Sequence, residues 1–343
     1  LGLSTDCVLV AGAHDQYAVA LGAGCTQDGD IVIGSGTCWV VTALSEKANF
    51  ESGIAQSKSA VPGLWGSCWS LSSGGVCLDW MRKNVALSAE GETISYEEIN
   101  SEIPKRKAAE DGLFFYPFSG YTENRKGFSK GSFIGLDLSH DRFDIMRAIM
   151  EGVGFQIRWM MEYFKSKPST ADGLKLAGGA TKSKAWSQIV ADITGLPIRI
   201  PEVADLACVG AAVLAGTGSG VFSSLSEGCK RLAVNENVLM PDPVAAEKYA
   251  TFFEEYKSKA VLLGNIYGLY VFTKPDGSTF TYRFTKAVRH IAFNESRRFA
   301  SIAEIEFGQL KACPVRAIGM ECENYIDTSV RNYWTEAGHD PMD

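Results

Sequence analysis

Apolar side chains recur at three- and four-residue steps through DRFDIMRAIMEGVGFQIRWMMEYF, where Ile145, Ile149, Val153, Ile157 and Met160 form one stripe. That period predicts a long helix with a buried face. Core packing accounts for its methionines without a cofactor. Upstream, the apolar run Cys7–Ala11 predicts a strand, followed by a tight turn and a short helix from about Gln16 that ends in LGAG. DIVIGSGTCWVVTAL reads as two strands with β-branched residues joined at Ser35-Gly36, a hairpin. SSGGVCLDWMRKN opens on small residues and continues at helical spacing, so a helix is predicted from about Gly75 to Asn84, and another in SYEEINSEI. LFFYPF is a short buried strand stopped by Pro117, and SGYTENRKGFSKGS is a polar loop. KLAGG is a strand and turn. KAWSQIVADITG is a helix ended by Gly195-Leu196-Pro197, IRI a strand and VGAAVLAGTGSG a small-residue helix; a last helix runs from Pro243 to about Tyr267. Strands alternating with helices in this way make an α/β layered domain.

After about Leu269 the texture changes. FTKPDGSTFTYRFTKAVRHIAF alternates polar and apolar residues around a Pro-Asp-Gly turn, and FASIAEIEFG predicts one more strand. The tail is therefore expected to be a small β-rich appendage, with its last stretch, RNYWTEAGHDPMD, disordered. At 343 residues and 46% hydrophobic content the chain has material for a large core or a pair of domains. The net charge of −7 is spread without long runs, which argues against nucleic acid or an anionic membrane as a partner. No apolar stretch is long enough to span a bilayer and no signal peptide is visible, so a cytoplasmic protein is expected. The nine cysteines include no CxxC pair, which disfavours zinc or an electron-transfer cluster and leaves buried, reduced thiols as the expectation. The chain opens on Leu1, almost directly into a predicted strand, and an upstream part is expected.

Three glycine-rich segments carry candidate chemistry: AGAHDQ, IGSGTC, and GGATKSKAWSQIVADITGLPIRIPEVADLACVGAAVLAG. None is a GxGxxG or Walker A loop, so dinucleotide and P-loop enzymes are disfavoured. Singly each is weak. In this order and spacing they resemble the C-terminal domain of the FGGY carbohydrate kinases, most nearly its xylulose-kinase-like branch. The GGATKS…GAA..A block, about forty consecutive positions, is the specific part, and RAIMEGVGFQIRW resembles the segment before it. The likeness runs from about Gly2 to Gly268.

The resemblance implies an α/β fold of the actin-like ATPase (ribonuclease H-like) type: one lobe with a mixed sheet flanked by helices, over residues 1–268, with residues 269–343 as the β-rich appendage. ATP and sugar would lie in a cleft between two such lobes. The first lobe, with its Asp-x-Gly-Thr phosphate loop and most sugar contacts, has no counterpart in this sequence. A sugar substrate, ATP and Mg²⁺ are implied, with no metal ligand assigned on this chain, and a homodimer is left open.

Asp15 matches the family's catalytic base, a carboxylate that takes the proton of the attacking sugar hydroxyl. Read without the family, Asp15 is more simply an N-cap of its own helix. His14 and Gln16 are placed to touch the sugar, a partly buried structural role being the alternative for each. Gly36 and Thr37 match the second phosphate loop, usually Gly-Thr-Ser, with Cys38 here in third place. Gly178, Gly179 and Ala180 match the adenosine motif, where a bare backbone lets purine and ribose lie against the turn. Ser183 either hydrogen-bonds base or ribose or caps a helix. Lys182 is expected to be solvated, and Gly210-Ala211-Ala212 to be helix packing near the lobe hinge. Glu123 and Arg125 depart from the Gly-Glu-Arg pattern common in xylulose kinases, so pentuloses other than xylulose, hexuloses and sugar acids stay open.

The implied reaction is transfer of the γ-phosphoryl group of ATP to a sugar hydroxyl, with little or no turnover expected of this chain alone. Two other readings stand beside it: an actin-like ATPase module that uses ATP for conformational change, and a non-catalytic fragment or fusion. FASIAEIEFG resembles the closing strand of discoidin-type jelly rolls, which would make the tail a carbohydrate binder.

Overall fold

The computed structural model describes residues 4, 6–48, 54–85, 91–118, 130–164, 173–203, 205–233 and 235–266, together with the short tail strands 269–273, 279–283, 316–317 and 320–321. In chain order the elements are α1 (Asp15–Gly22), β1 (Ile31–Ser35), β2 (Trp39–Ser45), β3 (Ala55–Lys58), β4 (Trp65–Leu71), α2 (Gly75–Asn84), α3 (Tyr96–Glu102), β5 (Phe114–Tyr116) and β6 (Ser132–Ile134). They continue with α4 (Arg142–Met161), β7 (Leu174–Gly178), α5 (Lys184–Thr194), β8 (Ile198–Pro201), α6 (Leu206–Gly218), α7 (Leu225–Arg231), β9 (Glu236–Leu239) and α8 (Pro243–Ile266).

Two compact units emerge. Residues 1–120 and 131–256 form the first; residues 121–130 and 257–343 form the second. The first is built on a seven-stranded sheet of order β3-β4-β2-β1-β7-β8-β9. β1 pairs antiparallel with β2 and parallel with β7, β7 pairs parallel with β8, and the remaining neighbours are antiparallel. A mixed sheet was expected, and its hairpin falls at Ser35-Gly36 as read.

Both faces of the sheet centre are covered. Ile31, Val32 and Ile33 are buried in succession, which a strand tolerates only with apolar layers on either side. Val32 and Leu44 pack with Ala20 and Ala23 at the α1 end and with Leu206 of α6. α1 and α6 touch through small residues: a Cβ on Gly22 would lie 1.9 Å from the Leu206 carbonyl oxygen, and one on Gly210 2.0 Å from that of Ala18. The expected packing role of Gly210 is thus realised. On the other side α4 carries the predicted stripe, with Ile149, Val153, Ile157 and Met160 buried. It starts on a capping box in which the Asp141 carboxylate accepts from Phe143 and Asp144 N–H while Asp144 accepts from Asp141 N–H. Tyr116 stacks on Tyr256 at 4.3 Å, and Phe155 lies between Tyr249, Phe253 and Tyr256, so α8 closes this layer.

The strand predicted at Cys7–Ala11 does not form. Its residues pair with no strand among the described residues, and Val8 and Leu9 are 58% and 98% exposed. An apolar run carries no ladder partner of its own, and β3 and β9 already hold the two edges of the sheet. The cysteines also depart in part from expectation. Cys25 and Cys77 are buried, and burial pushes the Cys77 thiol up to about 12, but Cys7, Cys38 and Cys208 are exposed. Among the described residues all are free.

In the second unit β10 (Leu269–Thr273) and β11 (Thr279–Arg283) pair antiparallel from Leu269↔Arg283 to Thr273↔Thr279, flanking the predicted Pro-Asp-Gly turn. β12 (Arg316–Ala317) and β13 (Met320–Glu321) complete a four-stranded sheet of order β11-β10-β12-β13. FASIAEIEFG, the final stretch from Arg331, and Glu123 and Arg125 lie outside the described residues.

Candidate functional site

The parallel pairing of β1 and β7 sets Ser35 opposite Gly178, so the turns that follow the two strands stand side by side at their carboxyl ends. That end of adjacent parallel strands is where open α/β sheets receive ligands. Ser35, 2% exposed, ties the turns together. Its hydroxyl donates to the Ala177 carbonyl at 2.6 Å and accepts from Ala180 N–H at 3.3 Å. In the sequence Ser35 stands only as part of the hairpin joint, because the partners of its hydroxyl lie 142 and 145 residues away.

Two cavities open on either side of this seam. The first, about 590 Å³, is lined by Gln16, Gly36, Cys38, Gly178, Gly179 and the start of α6, among others. The second, about 480 Å³, has an apolar floor of Trp39, Leu78, Met150 and Trp186 and an outer wall that includes Asp79, Tyr96 and Asn100. Gly36, Gly179 and Lys182 line both. The first suits a chain of phosphates, with exposed backbone and one lysine; the second suits a flat, partly apolar ring.

The turn at 36–38 is exposed on the cleft side. Gly36 N–H is used within the turn, on the Cys38 carbonyl at 3.1 Å, whereas Thr37 N–H and Cys38 N–H have no partner among the described residues. The Cys38 thiol is turned back, donating to the Ser72 carbonyl at 3.1 Å. Across the seam, Gly178 has φ +101°, and a Cβ there would lie 2.8–3.0 Å from Ser35 backbone atoms. Gly179 next to it has room for a Cβ, 3.5 Å from the Ser35 carbonyl oxygen. Gly178→Ala is therefore expected to lose roughly 1–3 kcal/mol of stability through backbone strain, while Gly179→Ala melts like the parent. Thermal melts of the two variants compare them directly, and equal melting points would contradict this account.

α1 begins beside the first cavity. His14, not Asp15, is its N-cap, accepting from Gln16 N–H through Nδ1 at 3.3 Å. Asp15 is the first helical residue, with a side chain 73% exposed. Its Oδ1 accepts from Gln16 N–H at 2.7 Å and lies 3.1 Å from His14 Nδ1; no contact to Oδ2 is made among the described residues. The Gln16 amide oxygen would sit 3.8 Å from a Cβ on Gly34, against the cavity floor. Asp15 is thus the chain neighbour of a lining residue, with one carboxylate oxygen on its own helix and one open.

Ser183 caps α5, accepting from Trp186 N–H at 3.1 Å, and donates to the Asn100 side-chain oxygen. Both of its bonds are internal, although it faces the second cavity. Asn100, on α3, is a further lining residue without a sequence signal. In the outer wall the Tyr96 hydroxyl donates to Asp79 Oδ1 at 2.5 Å, and Arg82 reaches the same oxygen at 3.2 Å while lying over the Tyr96 ring. Burial alone would raise the Asp79 carboxyl, but Tyr96, Lys83 and Arg82 hold it below its ordinary value. Asp205 caps α6 at the far side of the first cavity, and the N–H of Cys208 keeps its carboxyl low. Lys182 is exposed, as expected of it, yet lines both cavities. No cluster of three His, Cys, Asp or Glu residues able to hold a metal exists among the described residues, and none of their helices is long and apolar enough to cross a membrane.

The profile of the FGGY family of carbohydrate kinases, C-terminal domain, matches residues 29–219. The L-xylulose/3-keto-L-gulonate kinase of Escherichia coli K12 is 32% identical over 170 residues, covering 50% of this chain and 34% of that protein. A xylulose kinase of Staphylococcus epidermidis is 26% identical over 262 residues, 75% of this chain and 52% of its own length. In three dimensions, the crystal structure of xylulose kinase from Rhodospirillum rubrum superposes with a TM-score of 0.65 at 26% identity, over 75% of this chain and 51% of that one. The chain spans about half the length, or less, of the curated relatives it matches.

Proposed function

From the premise that this chain belongs to the FGGY family of carbohydrate kinases, we propose that it supplies the nucleotide side and the general base of a site that phosphorylates a sugar hydroxyl. The observation that carries the reading is the seam itself: a polar, backbone-rich cavity and a partly apolar one meeting at Gly36 and Gly179.

ATP fits these residues. Adenine lies in the second cavity over Trp39, Met150 and Trp186, and the ribose crosses the bare backbone of Gly178, Gly179 and Ala180. The phosphates run past the 36–38 turn into the first cavity, where Cys38 offers its free N–H, while Thr37 offers its N–H and hydroxyl from the side of the second cavity. Lys182 adds a positive charge where the cavities join. Ser183 acts by holding α5 and Asn100 in place, with its hydroxyl already committed. Mg²⁺, when bound with ATP, would neutralise charge on the transferring phosphoryl group; among the described residues no cluster could hold the ion, and the phosphates would carry it.

In this reading Asp15 is the base that takes the proton of the hydroxyl attacking the terminal phosphorus. Its open Oδ2 accepts that proton while Oδ1 remains on Gln16 N–H, so the carboxylate is held without being used up. His14 and Gln16 flank it as sugar contacts. The sugar class that best matches the relatives' names is a pentulose such as xylulose. One wall of a cleft holds nucleotide better than it holds both substrates, so the chain alone is expected to bind ADP but to turn over sugar barely, and a facing lobe is the partner it requires.

Isothermal titration of ADP into the chain tests the nucleotide half. Binding is expected in the parent, with an affinity about ten-fold lower, near 1.4 kcal/mol, in Gly179→Ala, whose fold is unaffected but whose new methyl group fills the ribose path. Absence of ADP binding to the parent protein would overturn the reading. A coupled assay over a panel of pentuloses and hexuloses, using the chain joined to a complementary first lobe, tests the sugar half.

A further inference from the structure

The N-terminus of α2 has no side-chain cap, although the helix is ten residues long. Its donors are used another way. Gly75 N–H donates to the Gly36 carbonyl at 3.2 Å, and Gly74 and Val76 N–H donate to the Thr37 carbonyl at 3.2 and 3.3 Å. The Cys38 thiol returns a fourth bond to Ser72, just before the helix. The turn at 36–38 is therefore the cap of α2, and α2 is the mount of the turn.

The geometry of the peptide unit gives this mount a consequence. In a planar trans peptide the carbonyl and the following N–H point in opposite directions. Anchoring the Gly36 and Thr37 carbonyls on α2 forces Thr37 N–H and Cys38 N–H to face away from it, and these are the two turn donors left without a partner. The glycines preceding the helix make the approach close enough. A Cβ on Gly75 would lie 2.5 Å from the Gly36 carbonyl oxygen, which is backbone and cannot swing aside. A Cβ on Gly74 would lie 2.1 Å from Trp39 Cδ1, under the floor of the second cavity.

We infer that Gly75 and the first turn of α2 are the positioning element of the phosphate site: besides lining the second cavity, they hold the 36–38 turn from behind and orient its two free N–H groups toward the phosphates. Gly74, by the same geometry, sets the base floor through Trp39. The inference rests on the reading of the 36–38 turn as a phosphate holder, and it adds a division of labour between adjacent glycines.

The test compares ADP with adenosine, which lacks the phosphates, by titration into the 343-residue chain. The parent binds ADP more tightly than adenosine. Gly75→Ala is expected to lose about ten-fold more in ADP affinity than in adenosine affinity, equivalent to about 1.4 kcal/mol; a loss common to both ligands is the share of the second cavity, which Gly75 also lines. Gly74→Ala is expected to weaken both ligands alike. Val76→Pro removes one N–H bond at the helix start, where proline is tolerated; it adds no Cβ over Gly36, and it should repeat the selective ADP loss even if Gly75→Ala folds poorly. A parent that binds ADP no better than adenosine would sink the phosphate reading itself. A parent with the expected preference, beside Gly75→Ala and Val76→Pro variants that keep it or that lose adenosine equally, would overturn the positioning role alone.

Discussion

Asp15→Asn is expected to lower sugar phosphorylation by roughly 10²–10⁴-fold, the usual contribution of a positioned general base, in a protein carrying both walls of the cleft. Asparagine keeps the shape of aspartate and its oxygen can still accept from Gln16 N–H, so α1 should begin where it does now. It cannot take a proton. The charge lost from the helix start costs only about 0.3–1 kcal/mol, and the side chain is mostly exposed, so melting should change little. ADP affinity should stay within about two-fold, since Asp15 is not among the residues that line the cavity. The loss thus belongs in kcat, measured in a coupled assay. Turnover of the variant within about ten-fold of the parent would remove Asp15 from the role of base.

Glu151→Ala is expected to destabilise the first unit strongly, by about 3–5 kcal/mol, which for a domain of this size lowers the melting point by roughly 10 °C. Glu151 is 2% exposed. Its carboxylate accepts from Ala109 N–H at 2.9 Å, from Arg147 Nε at 2.7 Å and from the Tyr249 hydroxyl at 2.7 Å. Arg147 also donates to the Ile103 carbonyl and to the Tyr249 hydroxyl, both at 2.9 Å, so one acid joins α4, α8 and the segment between α3 and β5. Alanine would leave a buried guanidinium without its counter-charge. Glu151→Gln, which keeps an acceptor for Ala109 N–H, should lose less. A cavity of about 310 Å³ borders the network, and water entering it draws the cost toward the lower end of the range. Urea denaturation of both variants gives the comparison; a loss below about 1 kcal/mol for the alanine would mean that the charges are already solvated in the native state.

Much of the scaffold was legible because its signals are local. The Gly-Gly start of α2, the stripe of α4, the helix stop at Gly195 and the β1–β2 hairpin each depend on residues within a few positions of one another. Cys7–Ala11 shows the limit of that logic, since a strand also needs a neighbour and none is offered. β3 and β4 carried no expectation, because WGSCWSL intersperses small and polar residues that become a strand only beside β2.

The site divides along the same line. The residues at 14–16, 36–37 and 178–180 nominated a base, a phosphate turn and an adenosine turn only through their resemblance to the FGGY carbohydrate kinases; read without it, each segment is weak and Asp15 is more simply a helix cap. Local chemistry could not say that His14 rather than Asp15 caps α1, nor that Ser183 spends its hydroxyl on Asn100, 83 residues away. It could not reveal Ser35 as the tie between the two turns or α2 as the mount of one of them. Those facts depend on which backbone carbonyls face which donors, and hydrogen bonds are satisfied by proximity in space, whatever the separation along the chain. Pattern determined an α/β layered domain, and resemblance to the family supplied the cast of residues; the parallel pairing of β1 with β7 decided that the two turns meet, because only strand register brings Ser35 opposite Gly178.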